Sequence, residues 1–208
     1  MKQKQSDRFH RLYNSFSDDE CWGRAEKAAK HILSAVAFKE SSRVSFVKTE
    51  SILLPPIGYY YSFYHMAVAL CWLHPGVEKE KLEKLRHTAL HNLIMDNFVK
   101  QDVLPPSFSD AMQALKKERE WLNYTFGEFD YDFFETVENN EKLASMEFSK
   151  CFDLINEICD LLVKKFDIKQ RIRTYIADSK GDDFVQTYLS TDEQNAVMDY
   201  IVKMGYSN

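Results

Sequence analysis

Apolar residues recur along the chain at helical spacing, and the gaps between the periodic stretches carry the polar, proline and glycine signals of helix ends. Ser17-Asp18-Asp19-Glu20 is a capping box and predicts a helix from about Asp18 to Phe38. After the polar break Glu40-Ser41-Ser42, a mixed stretch to Leu54 reads as another helix, ended by Pro55-Pro56. The aromatic run IGYYYSFYHMAVALCWL follows, apolar almost all round a helix, which places it at the centre of a bundle until His74-Pro75-Gly76 stops it. Glu78 to Val99 predicts a further helix, and the chain turns at Val103-Leu104-Pro105-Pro106. Ser109-Asp110 is placed to cap the next helix, in which Met112, Leu115, Trp121, Leu122 and Phe126 recur near helical spacing. DYDFFETVENNE reads as a surface connection. Lys142 to Phe166 is amphipathic around Cys151, Ile155, Ile158 and Leu162, and a second capping box, Ser190 with Glu193, opens a final helix through Met204. The pattern predicts an all-α protein of six or seven helices. The best boundary separates a helical bundle, residues 1–128, from a C-terminal helical extension, residues 129–208.

Composition narrows this picture. Six glycines and five prolines in 208 residues are too few for a many-stranded sandwich or barrel, which uses both at its turns. The balance of 27 Lys+Arg against 32 Asp+Glu, a net charge of −5, confines any contact with nucleic acid to a local patch. Lys79, Lys81, Lys84 and Arg86, with Lys116 and Lys117, are the one basic cluster in the predicted bundle. The polar N-terminus has no export signal, and the most apolar run, Tyr59 to Leu73, is shorter than the ~20 residues that span a bilayer, so a cytoplasmic protein with no membrane partner is expected. Cys21, Cys71, Cys151 and Cys159 form no C-x-x-C pair and read as reduced core thiols. No metal site and no cofactor are expected.

Scattered single glycines exclude G-x-G-x-x-G and P-loop nucleotide binding, and neither G-x-S-x-G nor H-E-x-x-H occurs. The stretch with chemistry in it is Arg86-His87-Thr88-Ala89-Leu90-His91. Two imidazoles and a guanidinium suit metal-independent phosphodiester cleavage. One imidazole takes the proton of a ribose 2′-OH, another protonates the leaving 5′ oxygen, and the guanidinium holds the non-bridging oxygens. His87 and His91 share a helix face, whereas Arg86 and His91 lie about 140° apart on an ideal helix, so a second subunit is one way to bring the groups together.

The residues around this motif carry a family resemblance. Tyr60-Tyr61-Ser62-Phe63-Tyr64-His65-Met66-Ala67-Val68-Ala69-Leu70 resembles the aromatic helix of the HEPN (higher eukaryotes and prokaryotes nucleotide-binding) superfamily. RHTALHNLIMDNFVKQDVLP is similar to that family's H-S-G-L-x-x-L-F-x-x-x-F-V-K segment, and LKKEREWLNY to its closing helix, with Arg119 and Tyr124 matching. The three blocks span residues 57–127. Arg86, His87 and His91 fit the Arg-[Asn/Asp/His]-x3-His pattern of the family's ribonucleases; in a second register His87 alone takes the motif histidine.

The resemblance implies an up-and-down helical bundle that dimerises, and a metal-independent ribonuclease of toxin or defence type with a composite cleft at the homodimer. Arg86, His91 and His87 would be catalytic; Lys84, Arg119, Tyr124 and His65 would bind substrate, with a structural role inside the bundle as the alternative for His65, Arg119 and Tyr124. The alternative function is a non-catalytic HEPN module that binds a nucleotide, an RNA or a partner, either an antitoxin or a nucleotidyltransferase-like protein.

Overall fold

The computed structural model describes residues 1–49, 53–124 and 133–161, together with Thr191, Asn195 and Asp199. The described chain is all-helical: α1 (Gln3–Asn14), α2 (Asp18–Thr49), α3 (Leu54–Trp72), α4 (Lys79–Glu83), α5 (His87–Ile94), α6 (Pro106–Tyr124) and α7 (Phe133–Leu161), with a π-helical turn, Met95–Val99, extending α5. The second capping box and the final helix expected from it lie outside the described residues, apart from Thr191, Asn195 and Asp199, which are helical.

The aromatic helix α3 sits at the centre. It is apolar on every side, most of its residues are buried, and α2, α4, α5, α6 and α7 all pack against it. Pro55 and Pro56 fall in its first turn, where backbone N–H groups have no partner within the helix, so these prolines start α3 rather than end its predecessor. α2 runs antiparallel to α3, as the pairs His31 with His65 and Phe38 with Tyr61 require. The two backbones come close at Gly58: a Cβ there would collide with Ser42 Oγ and lie 3.1 Å from the Phe38 carbonyl oxygen. α6 lays Phe108 on Phe63 and Arg119 on Tyr60, so it also runs antiparallel to α3. α7 contributes Phe148, Cys151, Ile155 and Ile158 to the same core.

Four further expectations are corrected. α2 does not break at Glu40-Ser41-Ser42 but continues to Thr49. Ser42 is buried against α3, and Glu40 pairs with Arg43 at 2.8 Å, so these polar residues are satisfied without leaving the helix. The helix expected over 78–99 is broken at Lys84–Arg86, where Arg86 takes extended backbone angles as the N-cap of α5. Its far end becomes a π turn that puts Phe98 against His74, ring centroids 4.9 Å apart. DYDFFETVENNE is not all connection, since α7 is already under way at Phe133 and buries Val137. Ser109 does not cap α6, which begins at Pro106.

At the end of α3, Arg24 supplies what the chain there lacks. It is buried and donates to the carbonyls of Trp72 (3.4 Å), His74 (3.4 Å) and Val77 (3.0 Å), while pairing with Glu20 at 3.2 Å. Carbonyls at a helix end have no intrahelical donor, and a buried guanidinium is an efficient one. The Ser17 hydroxyl accepts the Glu20 N–H at 3.2 Å, as the capping box predicts. Cys21, Cys71 and Cys151 are buried free thiols; Cys159 lies outside the described side chains. No described helix is long and apolar enough to cross a membrane.

Candidate functional site

A cleft of about 400 Å³ lies between α5 and α6, floored by Tyr60 of α3. His87 and His91, one helical turn apart on α5, both open onto it. Gln113, Lys116, Lys117 and Glu120 form the α6 wall. Ser109, Gln113, Lys116 and Glu120 fall at helical spacing, so one polar stripe of α6 faces one polar turn of α5.

The two imidazoles have different surroundings. His87 Nδ1 lies 2.6 Å from the Tyr60 hydroxyl. Burial pushes the Tyr60 phenol up to about 12, so the O–H keeps its proton. A buried hydroxyl donates to the partner it has, which makes Nδ1 the acceptor and leaves the ring proton of neutral His87 on Nε2. His87 is held below its usual value, first by burial and then by the charges of Arg119 and Lys116. His91 is tied to α6 instead, with Nε2 2.9 Å from Ser109 Oγ and 3.1 Å from Gln113 Nε2. A side-chain amide nitrogen can only donate, so His91 Nε2 accepts and is the basic nitrogen of the pair.

Electrostatically the cleft is mixed. Lys116 pairs with Glu120 at 3.6 Å, while Lys117 is exposed and makes no ion pair among the described residues. Arg119 does not line the cleft. It is almost buried behind Tyr60, its guanidinium 4.7 Å from that ring and 3.3 Å from Glu120. Its place is thus to support the tyrosine that holds His87.

The remaining sequence candidates are scattered. Arg86 is exposed at the N-cap of α5, next to His87 in the chain but outside the cleft lining. Lys84 is exposed in the break before it. Tyr124 ends α6, and its side chain is outside those described. His65 faces α2, where its Nδ1 meets His31 Nδ1 at 2.9 Å and its ring lies on Phe38. Burial, reinforced by the neighbouring imidazoles, lowers His65 to about 3; burial and Lys27 lower His31 to about 4. Sequence reasoning missed Tyr60 as a partner for His87, and Ser109 and Gln113 as partners for His91. The α6 stripe was the available signal, but only the fold reveals that it faces α5.

A larger pocket, about 540 Å³, opens beside Phe16 and Pro75, but the Arg24 guanidinium within it is already committed to three carbonyls. Among the described residues no group of three or more His, Cys, Asp or Glu is placed to hold a metal ion. No family model, curated protein or solved structure matches the chain.

Proposed function

We propose that the protein is a HEPN-type metal-independent ribonuclease whose reaction centre is the His87–His91 cleft, completed in a homodimer. The observation that carries this reading is the opening of two imidazoles, each with one nitrogen fixed by a partner, onto one cleft that also holds Lys116 and Lys117. In the proposed step His91 Nε2 exchanges its Gln113 partner for the substrate hydroxyl and takes the 2′-OH proton, the 2′ oxygen attacks phosphorus, and the bond from phosphorus to the 5′ oxygen breaks. His87, in its imidazolium form, gives its Nε2 proton to the leaving oxygen and returns to the neutral imidazole, and the cleft lysines offset the charge that builds on the non-bridging oxygens. Arg86 is the phosphate ligand supplied at the mouth of the cleft by a second copy of the chain.

Purified protein should nick RNA in excess EDTA, and His91→Ala should lose this activity. Neither Arg86→Ala nor His91→Ala alone should cleave, yet a mixture of the two should recover part of the activity if each cleft draws Arg86 from its partner. Equal cleavage by wild type and His91→Ala would sink the assignment.

A second reading is favoured by one observation, the exposure of Arg86 outside the cleft lining of its own chain. On this reading the cleft is a non-catalytic HEPN module that holds a nucleotide, RNA or a partner protein. It predicts salt-dependent RNA binding without strand scission, or co-purification with an antitoxin or a nucleotidyltransferase-like protein.

A further inference from the structure

His87 belongs to two sets of contacts. On one side it meets Tyr60 and the cleft. On the other it touches a run of rings that leads away over the surface of α2 and α3: Tyr64 at 4.4 Å and Tyr61 at 6.1 Å between centroids. Phe38 continues the run, stacked on Tyr61 at 5.4 Å with 28° between planes, and on His65 at 5.5 Å with 9°. His65 in turn lies on His31.

Core rings at this end of α3, Tyr59 and Tyr60, are almost fully buried. Tyr61 and Tyr64 are only partly covered, and Phe38, at the outer end of the pile, is 38% exposed. Phe38, Tyr61 and Tyr64 thus keep part of their ring surface in water, and a flat apolar group laid along the run would cover it. Cations flank the run at both ends. Exposed Lys27 stands one turn before His31 on α2, Lys117 lines the cleft, and exposed Arg86 precedes His87 outside it. Partly exposed rings between cationic groups suit a strand that carries flat apolar bases along an anionic backbone.

We propose that Phe38, Tyr61 and Tyr64 form a stacking platform for unpaired bases of single-stranded RNA adjoining the phosphate in the His87–His91 cleft. This rests on the ribonuclease reading for its ligand class and adds to it a substrate preference. A duplex keeps its bases stacked on one another and cannot offer them to the platform, so the platform selects unpaired strands. The His31–His65 pair lies beneath Phe38 and is neutral near pH 7, which gives the pile an uncharged base.

The test uses the full chain and a fluorescein-labelled, fully 2′-O-methylated oligoribonucleotide, which lacks the 2′ nucleophile and so reports binding alone. Anisotropy titrations compare the single strand with the same strand annealed to its complement. The single strand should bind more tightly than the duplex. Phe38→Ala should weaken single-strand binding about ten-fold or more, Phe38→Trp should retain it, and neither should lower the melting temperature much, because Phe38 is exposed. Unchanged affinity in both Phe38→Ala and Tyr61→Ala, equal binding of duplex, or no binding by the wild type would overturn the proposal. So would variants whose one effect, seen by sedimentation, is loss of a dimer, since a second copy would then be what covers the rings. Strand binding that depends on Phe38, without cleavage of unmodified RNA, would leave the platform standing and remove the ribonuclease. Cleavage with an unchanged KM in Phe38→Ala would do the reverse.

Discussion

His87 and His91 are four residues apart on one helix, yet their proton arrangements are set by different elements. Tyr60 on α3 holds His87 through Nδ1, and Ser109 with Gln113 on α6 hold His91 through Nε2. Removing only the Tyr60 hydroxyl separates these influences. In Tyr60→Phe the phenolic donor that stabilises neutral His87 is gone, so the His87 titration midpoint should rise and its neutral tautomer should lose its preference for Nε2–H. The His91 resonances should stay where they are. Nitrogen-detected NMR of the imidazoles reads all three; an unmoved His87 would show that the hydroxyl does not set its proton. The expected loss of stability is about 1 kcal/mol, the usual net contribution of one hydrogen bond. At this scale the sequence is readable in type but not in partnership. Arg86, His87 and His91 are conspicuous as a cluster, whereas the role of Ser109 is hidden, because serine before a periodic stretch looks the same whether it caps the helix or reaches across a cleft.

Among the elements, the close crossing of α2 and α3 brings Phe38 of α2 against the rings of α3. Gly58 leaves room for Ser42 Oγ, and a methyl group added there must displace it. Gly58→Ala should cost about 1–3 kcal/mol through overpacking, measured by urea unfolding, despite alanine's better helix propensity. Ser42→Ala introduced with it removes the colliding oxygen, so the double variant should be more stable than the sum of the single effects; strict additivity would mean that the two residues do not meet. Arg24→Met should cost more, about 2–4 kcal/mol, because three backbone carbonyls lose a buried donor at once. The helices themselves were largely legible from spacing, since α3 is apolar all round and α7 shows a stripe. The failures share one cause. Glu40-Ser41-Ser42 looked like a break because its polar groups had no visible partners, but Arg43 and the α3 crossing provide a partner and a place. The real break, at Lys84–Arg86, has no glycine or proline to announce it.

For the whole molecule, few glycines and prolines mean long helices around one aromatic helix, and a net charge of −5 means that the RNA contact we propose is confined to a local patch, the α5–α6 cleft and the adjoining rings. The histidines buried in this assembly make its stability depend on pH. His31 and His74 are lowered to about 4 and His65 to about 3, in each case mainly by burial. Between pH 6.5 and 4 the unfolded chain therefore binds protons that the folded chain refuses, and stability falls as pH falls through that window. Each such proton contributes a slope of at most about 1.4 kcal/mol per pH unit. Urea unfolding at pH 7.5, 6 and 5 should show a steady decline before most carboxylates titrate; a flat profile would mean that these imidazoles are not held neutral.

The ribonuclease reading is tested most directly by the ends it leaves on RNA. Single-turnover digestion of a partly unpaired RNA in excess EDTA, with the termini mapped, should give 2′,3′-cyclic phosphate and 5′-hydroxyl ends from the wild type, and His91→Ala should cut at least ~100-fold more slowly. Intact RNA with the wild type, or the same ends at the same rate with His91→Ala, would contradict it.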